Sequence, residues 1–208
     1  MGRVEHIQHP LIEHHLCTLR DQATPPSEFR AAVQRLAVLI GVYATNDLRL
    51  ESASIQTPLA LAECQCLAGR IGLVPILRAG LGMMDGVLDL IPSARVSVIG
   101  LYRNEQTLEP VAYYEKFTSR IEDRTAMILD PMLATGGSVI AAIDMLKESG
   151  CKKIKGLFLV AAPEGIAALQ KKHPDVDIYV AAIDEKLNEV GYILPGLGDA
   201  GDKIFGTK

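Results

Sequence analysis

The stretch from Ala126 to Gly150 most constrains what this chain can fold into. Ala126 to Leu129 is a short apolar run, the pattern of a parallel strand covered on both faces. Asp130-Pro131 ends it, because proline cannot donate to a ladder and restricts the residue before it. From Val139 the apolar positions Val139, Ile140, Ile143 and Leu146 recur at helical spacing, and Gly150 stands where a helix stop belongs. Between strand and helix lies Ala134-Thr135-Gly136-Gly137-Ser138. Two glycines let that backbone turn sharply, and the amides opening a helix point outward unsatisfied. Thr135 and Ser138 add hydroxyls, and the helix dipole favours an anion there. The residues also fit a tight turn with Ser138 as a plain N-cap.

A second unit of this kind precedes it. Gly72 to Leu77 reads as a strand with Pro75 near its end, followed by Arg78-Ala79-Gly80-Leu81-Gly82 and a helix from Met83 to Leu90. Arg78 offers a bidentate fork to phosphate oxygens, although a surface charge beside turn glycines would look the same. Further strands are expected at Ala94–Tyr102, Lys155–Ala161 and Asp177–Ile183, and Pro163-Glu164-Gly165 opens a helix to Lys172. Upstream, Leu11–Arg20 reads as a helix, and Ser27 is placed to cap a long one reaching about Ala44. Ser52 to Leu67, with Pro58, reads as a peripheral hairpin or loop. Alternating strands and helices predict a mostly parallel sheet flanked by helices, and no linker is long enough to divide residues 1–208 into domains.

Composition narrows the partners. Formal net charge is −4, so no global field draws nucleic acid or anionic lipid, and an anionic ligand must be held by a few placed arginines and amides. No apolar run approaches the length of a membrane helix, and the start of the chain lacks a secretory h-region, so a soluble cytoplasmic protein is expected. Cys17, Cys64, Cys66 and Cys151 form no disulfide framework, and Cys64-Gln65-Cys66 lacks the usual metal-ligand gap. His6, His9, His14 and His15 cluster without a completing acid or thiol and read as partly exposed surface residues. No protein metal site is expected.

The tail contains a formal Gly-x-Gly-x-x-Gly at Gly196, Gly198 and Gly201. A dinucleotide fingerprint must follow a strand and open a helix within a βαβ unit, which Pro195 and the position in the chain speak against. The alternative is a close-fitting backbone loop.

Four stretches together carry a family resemblance. Asp-Pro-Met-Leu-Ala-Thr-Gly-Gly-Ser at 130–138, Pro-Ile-Leu-Arg-Ala-Gly-Leu-Gly-Met at 75–83, the polar segment entered at Arg103, and the tail from Tyr192 to Gly206 resemble the uracil phosphoribosyltransferase family of the type I phosphoribosyltransferases. Most of that superfamily carries two adjacent acids where this chain has Asp130-Pro131, a form similar to the uracil-specific members. The resemblance implies the type I phosphoribosyltransferase-like α/β fold, with a small hood and a flexible hairpin. It implies an enzyme making UMP and pyrophosphate from uracil and 5-phosphoribosyl 1-diphosphate (PRPP), with Mg²⁺ carried on the donor's diphosphate.

Carried over residue by residue, Asp130 meets the ribose. Pro131, Met132, Leu133, Ala134, Thr135, Gly136, Gly137 and Ser138 form the 5′-phosphate loop. Arg78 and Arg103 meet the pyrophosphate, Arg103 from the hood. Ile193, Gly198 and Ala200 meet uracil, and Asp199 is shared between base and donor. Uracil presents one N–H between two carbonyls, which backbone groups can match, whereas cytosine would leave buried groups unpaired. The wide apolar stripe of the long helix, Phe29, Val33, Leu36, Ala37 and Ile40 widened by Leu39 and Val42, suggests a homo-oligomer, and a GTP effector, as in some relatives, is a further expectation. An RNA-binding regulator on the same fold would instead need a basic face, and the adjacent basic pairs are Lys152-Lys153 and Lys171-Lys172.

Overall fold

The computed structural model describes residues 2–103 and 110–207, the side chain of Arg103 excepted. In chain order the elements are β1 (Val4–His6), α1 (Pro10–Arg20), α2 (Pro26–Ala44), β2 (Leu50–Gln56), β3 (Leu61–Leu67), β4 (Arg70–Leu77) and α3 (Leu81–Leu90). There follow β5 (Arg95–Val96), β6 (Val98–Arg103), β7 (Pro110–Lys116), β8 (Arg124–Leu129), β9 (Met132–Leu133) and α4 (Gly137–Glu148). The last are β10 (Lys153–Ala161), α5 (Pro163–Lys172), β11 (Asp177–Ile183), β12 (Lys186–Leu187), β13 (Ile193–Leu194) and α6 (Ala200–Phe205).

The main sheet runs β1-β11-β10-β8-β4-β6-β7, with β5 on β4 and β9 on β10. Its pairings are parallel apart from the β6–β7 hairpin at one edge. Apolar runs form its middle because both faces are covered. Successive residues point to opposite faces, so Leu73, Met127, Leu157 and Tyr179 join α1, α2, α3 and α6 on one side. Val74, Ile128, Phe158 and Val180 join α4 and α5 on the other. The expected mostly parallel sheet with flanking helices is present. Ser52–Leu67 is a hairpin, β2 against β3, paired from Leu50↔Leu67 to Gln56↔Leu61.

Four local expectations need correction. Helix α2 begins at Pro26 with Pro25 as its cap and no side-chain cap bond, so Ser27 lies inside the first turn. Proline at the first position pre-sets helical torsion and has no N–H to satisfy, which makes a serine cap unnecessary. Pro75 lies inside β4, not at its end. Backbone groups alternate sides along a strand, and the Leu73 carbonyl accepts the Ser97 N–H at 2.8 Å, so Pro75 faces the same neighbour without a donor. There the predicted Ala94–Tyr102 strand divides into β5 and β6, and buried Ser97 uses its Oγ to accept the Thr118 N–H at 3.0 Å. Finally, the tail is more than a loop, since it contains the short helix α6.

The loop after β4 is pressed against the end of β8. A Cβ on Gly80 would lie 2.3 Å from the Leu129 carbonyl oxygen and 2.6 Å from the Ile76 nitrogen. Both obstacles are backbone, so they cannot move aside as a side-chain tip would. Gly80→Ala is expected to lower unfolding free energy by about 1–3 kcal/mol or more through overpacking, read from urea denaturation.

Candidate functional site

Strands β4 and β8 are neighbours in register from Arg70↔Arg124 to Pro75↔Leu129, so they deliver Arg78 and Asp130 to one edge of the sheet. Open α/β sheets hold ligands at that carboxyl edge. Around it the structure gathers three of the expected segments: residues 78–80, residues 130–138 and the tail.

Beyond Asp130 the chain is tied back to β10. The Pro131 carbonyl accepts from Leu159 N at 3.1 Å and Val160 N at 3.0 Å, and the Leu133 carbonyl accepts from Ala162 N at 2.9 Å. Met132 and Leu133 form β9 on the same strand. The loop 134–136 therefore springs from a fixed base. Gly136, at φ +83°, caps α4, and its carbonyl accepts the Ile140 N–H at 2.9 Å. Gly137 and Ser138 lie in the first helical turn, where amides have no partner within the helix. Ser138 is thus a first-turn residue and not the N-cap. Ala134 and Thr135 lead into that turn, with Thr135 exposed.

Asp130 retains part of its surface, yet its carboxyl is desolvated by the surrounding strands. Burial pushes it up to about 7, against the opposing pull of the Met132 N–H, which donates to its Oδ1 at 3.3 Å. No cationic side chain lies in ion-pair range of it among the described residues.

Arg78 follows a cis Leu77–Arg78 peptide and is held loosely. Its Nη2 is 3.5 Å from Asp202 Oδ1, its guanidinium lies 5.5 Å from the Phe205 ring centre, and its side chain is 56% exposed. Such a pair is worth little in water and leaves the fork available to another anion. The β6–β7 pair stands close by, for a Cβ on Gly137 would lie 3.8 Å from Pro110 Cδ at the start of β7. Arg103 is the last residue of β6, and the expectation for its side chain falls outside what is described.

In the tail Ile193 and Ala200 are buried, and Gly198 is at φ +80°, a torsion that disfavours any residue with a Cβ. Asp199 caps α6, its Oδ1 accepting the Asp202 N–H at 2.9 Å. The cap joins Asp199 to Asp202, the residue that meets Arg78, so one short helix links a base-side candidate to a donor-side one.

Two residues that hold this tail escaped the sequence reading. Arg20 donates from Nη1 to Asp184 Oδ2 at 2.9 Å and from Nη2 to Oδ1 at 2.6 Å, a bidentate pair. Arg20 Nη1 also donates to the Gly196 carbonyl at 2.8 Å, and the Gly196 N–H donates to Asp184 Oδ2 at 2.9 Å. The ion pair thus grips both backbone groups of Gly196. A buried acid after a strand, Asp184 in Ala-Ile-Asp, was the available signal. Lys203 reinforces the hold by donating to the Asp21 carbonyl at 3.0 Å.

Known proteins resemble the chain along its whole length. The family model described as uracil phosphoribosyltransferase matches residues 6–207. A uracil phosphoribosyltransferase of Geobacillus kaustophilus is 56% identical over 209 residues, covering all of both chains. Among solved structures, that of the AQ2163 protein from Aquifex aeolicus superposes with a TM-score of 0.95 at 37% identity, over 99% of each chain. A hypoxanthine phosphoribosyltransferase from Staphylococcus aureus shares the fold, with a TM-score of 0.52 at 15% identity over 76% of each chain. A full-length match at this identity, joined to three site segments meeting at one sheet edge, places the chain in the uracil phosphoribosyltransferase family.

Proposed function

We propose that the chain forms UMP and pyrophosphate from uracil and PRPP. The observation that carries this is the meeting of the Arg78 loop, the loop from Asp130 to Ser138 and the tail at the carboxyl edge of β4 and β8. Each segment suits a different part of the substrates. Residues 131–138 would take the 5′-phosphate through first-turn amides and hydroxyls, and Asp130 would accept from ribose hydroxyls. Arg78, and Arg103 by resemblance, would hold the pyrophosphate. Ile193, Gly198, Asp199 and Ala200 would frame the base.

In the reaction the bond from ribosyl C1 to pyrophosphate oxygen breaks, the bond from uracil N1 to C1 forms with inversion, and the N1 proton passes to solvent, with Asp199 the candidate to help remove it. The chain's contribution is to align two substrates and to offer guanidinium charge to the departing oxygens. Asp130 fits a cation carried by the donor, because its desolvated carboxyl has no positive partner of its own among the described residues. Magnesium, when bound on the diphosphate, supplies positive charge to the leaving group.

An assembly of several copies is supported by the exposed apolar residues of the β2–β3 hairpin, Leu59 and Leu61 among them. The effector role of GTP rests on resemblance, and its addition to the assay below tests it. No helix among the described residues is long and apolar enough to cross a membrane.

Pyrophosphate release with PRPP and Mg²⁺, offering uracil, cytosine, thymine, hypoxanthine and adenine in parallel, tests the reading. Turnover is expected with uracil, and turnover with a purine alone would overturn the assignment of the tail.

Asp130→Asn separates stability from activity. The folded-state pKa is raised, so the stability this group contributes is present at low pH and is lost as pH rises through about 7. The variant should match the parent in thermal stability near pH 4 and exceed it above pH 7. Its kcat/KM for PRPP should fall by about 10–100-fold, since a charged acceptor to the ribose is gone.

Asp184→Ala should lower stability by about 2–3 kcal/mol, because it strands a partly buried guanidinium. It should also raise the KM for uracil by about tenfold as the grip on Gly196 is lost. The KM for PRPP should change far less, and equal effects on both substrates would show that the clamp serves more than the base side.

A further inference from the structure

The opposite, amino edge of the same sheet carries a second concentration of charge. Arg70 opens β4 and Arg124 opens β8, and the two are direct neighbours across the parallel pair. Arg95 opens β5, which pairs with β4 at Gly72. These three line a cleft of about 290 Å³ with Arg120, Ser93 and Ser119. Arg120, at φ +59°, is neutralised locally, donating from Nε to Asp123 Oδ2 at 2.6 Å. Arg70, Arg95 and Arg124 have no carboxylate in ion-pair range among the described residues.

Arg124 makes the arrangement costly without a further partner. It is 6% exposed, its Nη1 reaches only the Ile71 carbonyl at 3.3 Å, and its Nε is buried with no hydrogen-bond partner. Burial weakens its hold on its proton, and the crowding of Arg95, Arg70 and Arg120 adds to that. A buried donor left unpaired beside like charges is destabilising unless an anion arrives. Arg95 Nη1 stands 3.5 Å from Ser119 Oγ, so a hydroxyl already faces the cleft beside the guanidiniums.

We propose that this cleft binds a compact polyphosphate anion, free or as the phosphate chain of a nucleotide, through Arg70, Arg95 and Arg124 with Ser93 and Ser119 as hydroxyl donors. Three uncompensated forks suit several phosphoryl groups in a small volume better than one carboxylate. An extended nucleic-acid strand fits less well, since the cleft is short and the chain's net charge is −4. The site is distinct from the candidate PRPP site. Arg70 and Leu77 are the two ends of β4, and a strand of that length spans roughly 23 Å.

The test is isothermal titration of sodium tripolyphosphate into the parent and into the double variant Arg70→Ala/Arg95→Ala. Both altered side chains are exposed and lie outside the catalytic edge, so turnover of the variant should match the parent. Binding of tripolyphosphate at the catalytic edge is common to both proteins, and the cleft is read from their difference. The parent should show an additional binding event that weakens by about tenfold or more in the variant. Parallel titrations with ATP and GTP separate the sources. Equal affinity to tripolyphosphate marks a reader of phosphate alone, and tighter nucleotide binding marks one that also contacts the nucleoside. Identical isotherms for parent and variant would overturn the proposal. So would displacement of tripolyphosphate by a short single-stranded RNA of higher affinity. Dissociation of an oligomer in the variant, with no additional tripolyphosphate event in the parent, would likewise overturn it by assigning the arginines to a subunit contact.

Discussion

A parallel sheet covered by helices on both faces has only its edges left for polar chemistry. That constraint organises this molecule. The middle of each long strand is committed to two apolar clusters, one beneath α1, α2, α3 and α6 and the other beneath α4 and α5. Side chains such as Leu73 and Val74, or Met127 and Ile128, are divided between them by the alternation of the strand. Charged and hydrogen-bonding groups are displaced to the strand ends, where unsatisfied amides and loops can meet solvent. The candidate catalytic loops lie at one end and the arginine cluster at the other because the interior has no room for either.

Within the candidate catalytic edge, the two charged groups proposed to meet PRPP are both weakly compensated by the protein. Arg78 rests on Asp202 and the Phe205 ring while remaining mostly exposed. Asp130 is desolvated against a single amide. Strong internal pairing would have stabilised the free protein but left these groups nothing to offer a ligand. The strong pairing is placed one layer out, in Arg20 and Asp184, which hold the backbone of the tail instead of the substrate.

Local features were legible in the sequence. Strand–loop–helix units around Arg78 and Asp130 could be read because apolar run, breaker, glycines and helical spacing are consecutive. The helix opened by Pro163 was legible for the same reason, whereas Ser52 to Leu67 fitted a hairpin or a loop because its alternation is weak. Ser27 misled because a serine before an apolar stripe looks like a cap even where Pro25 and Pro26 already start the helix. Pro75 was misplaced because its cost depends on which neighbour it faces, and only the sheet order decides that. Asp184 directly after its strand marks one half of the clamp, but Arg20 lies 164 residues away and no local pattern joins the two. Likewise Arg70, Arg95 and Arg124 look like scattered surface charges along the chain. They become neighbours only because each opens a strand of one sheet.

The clamp on Gly196 also bears on how the molecule comes together. The donor side can be built from residues between β4 and α5, whose strands and helices follow one another closely in the chain. The base side requires Arg20, near one end, to reach Asp184 and Gly196, 164 and 176 residues away. Closing so wide a loop costs chain entropy that is recovered only once the intervening sheet holds both partners in place. The grip on Gly196 therefore depends on the whole intervening sheet being in place, which the loops at residues 78–80 and 134–136 do not require to the same degree.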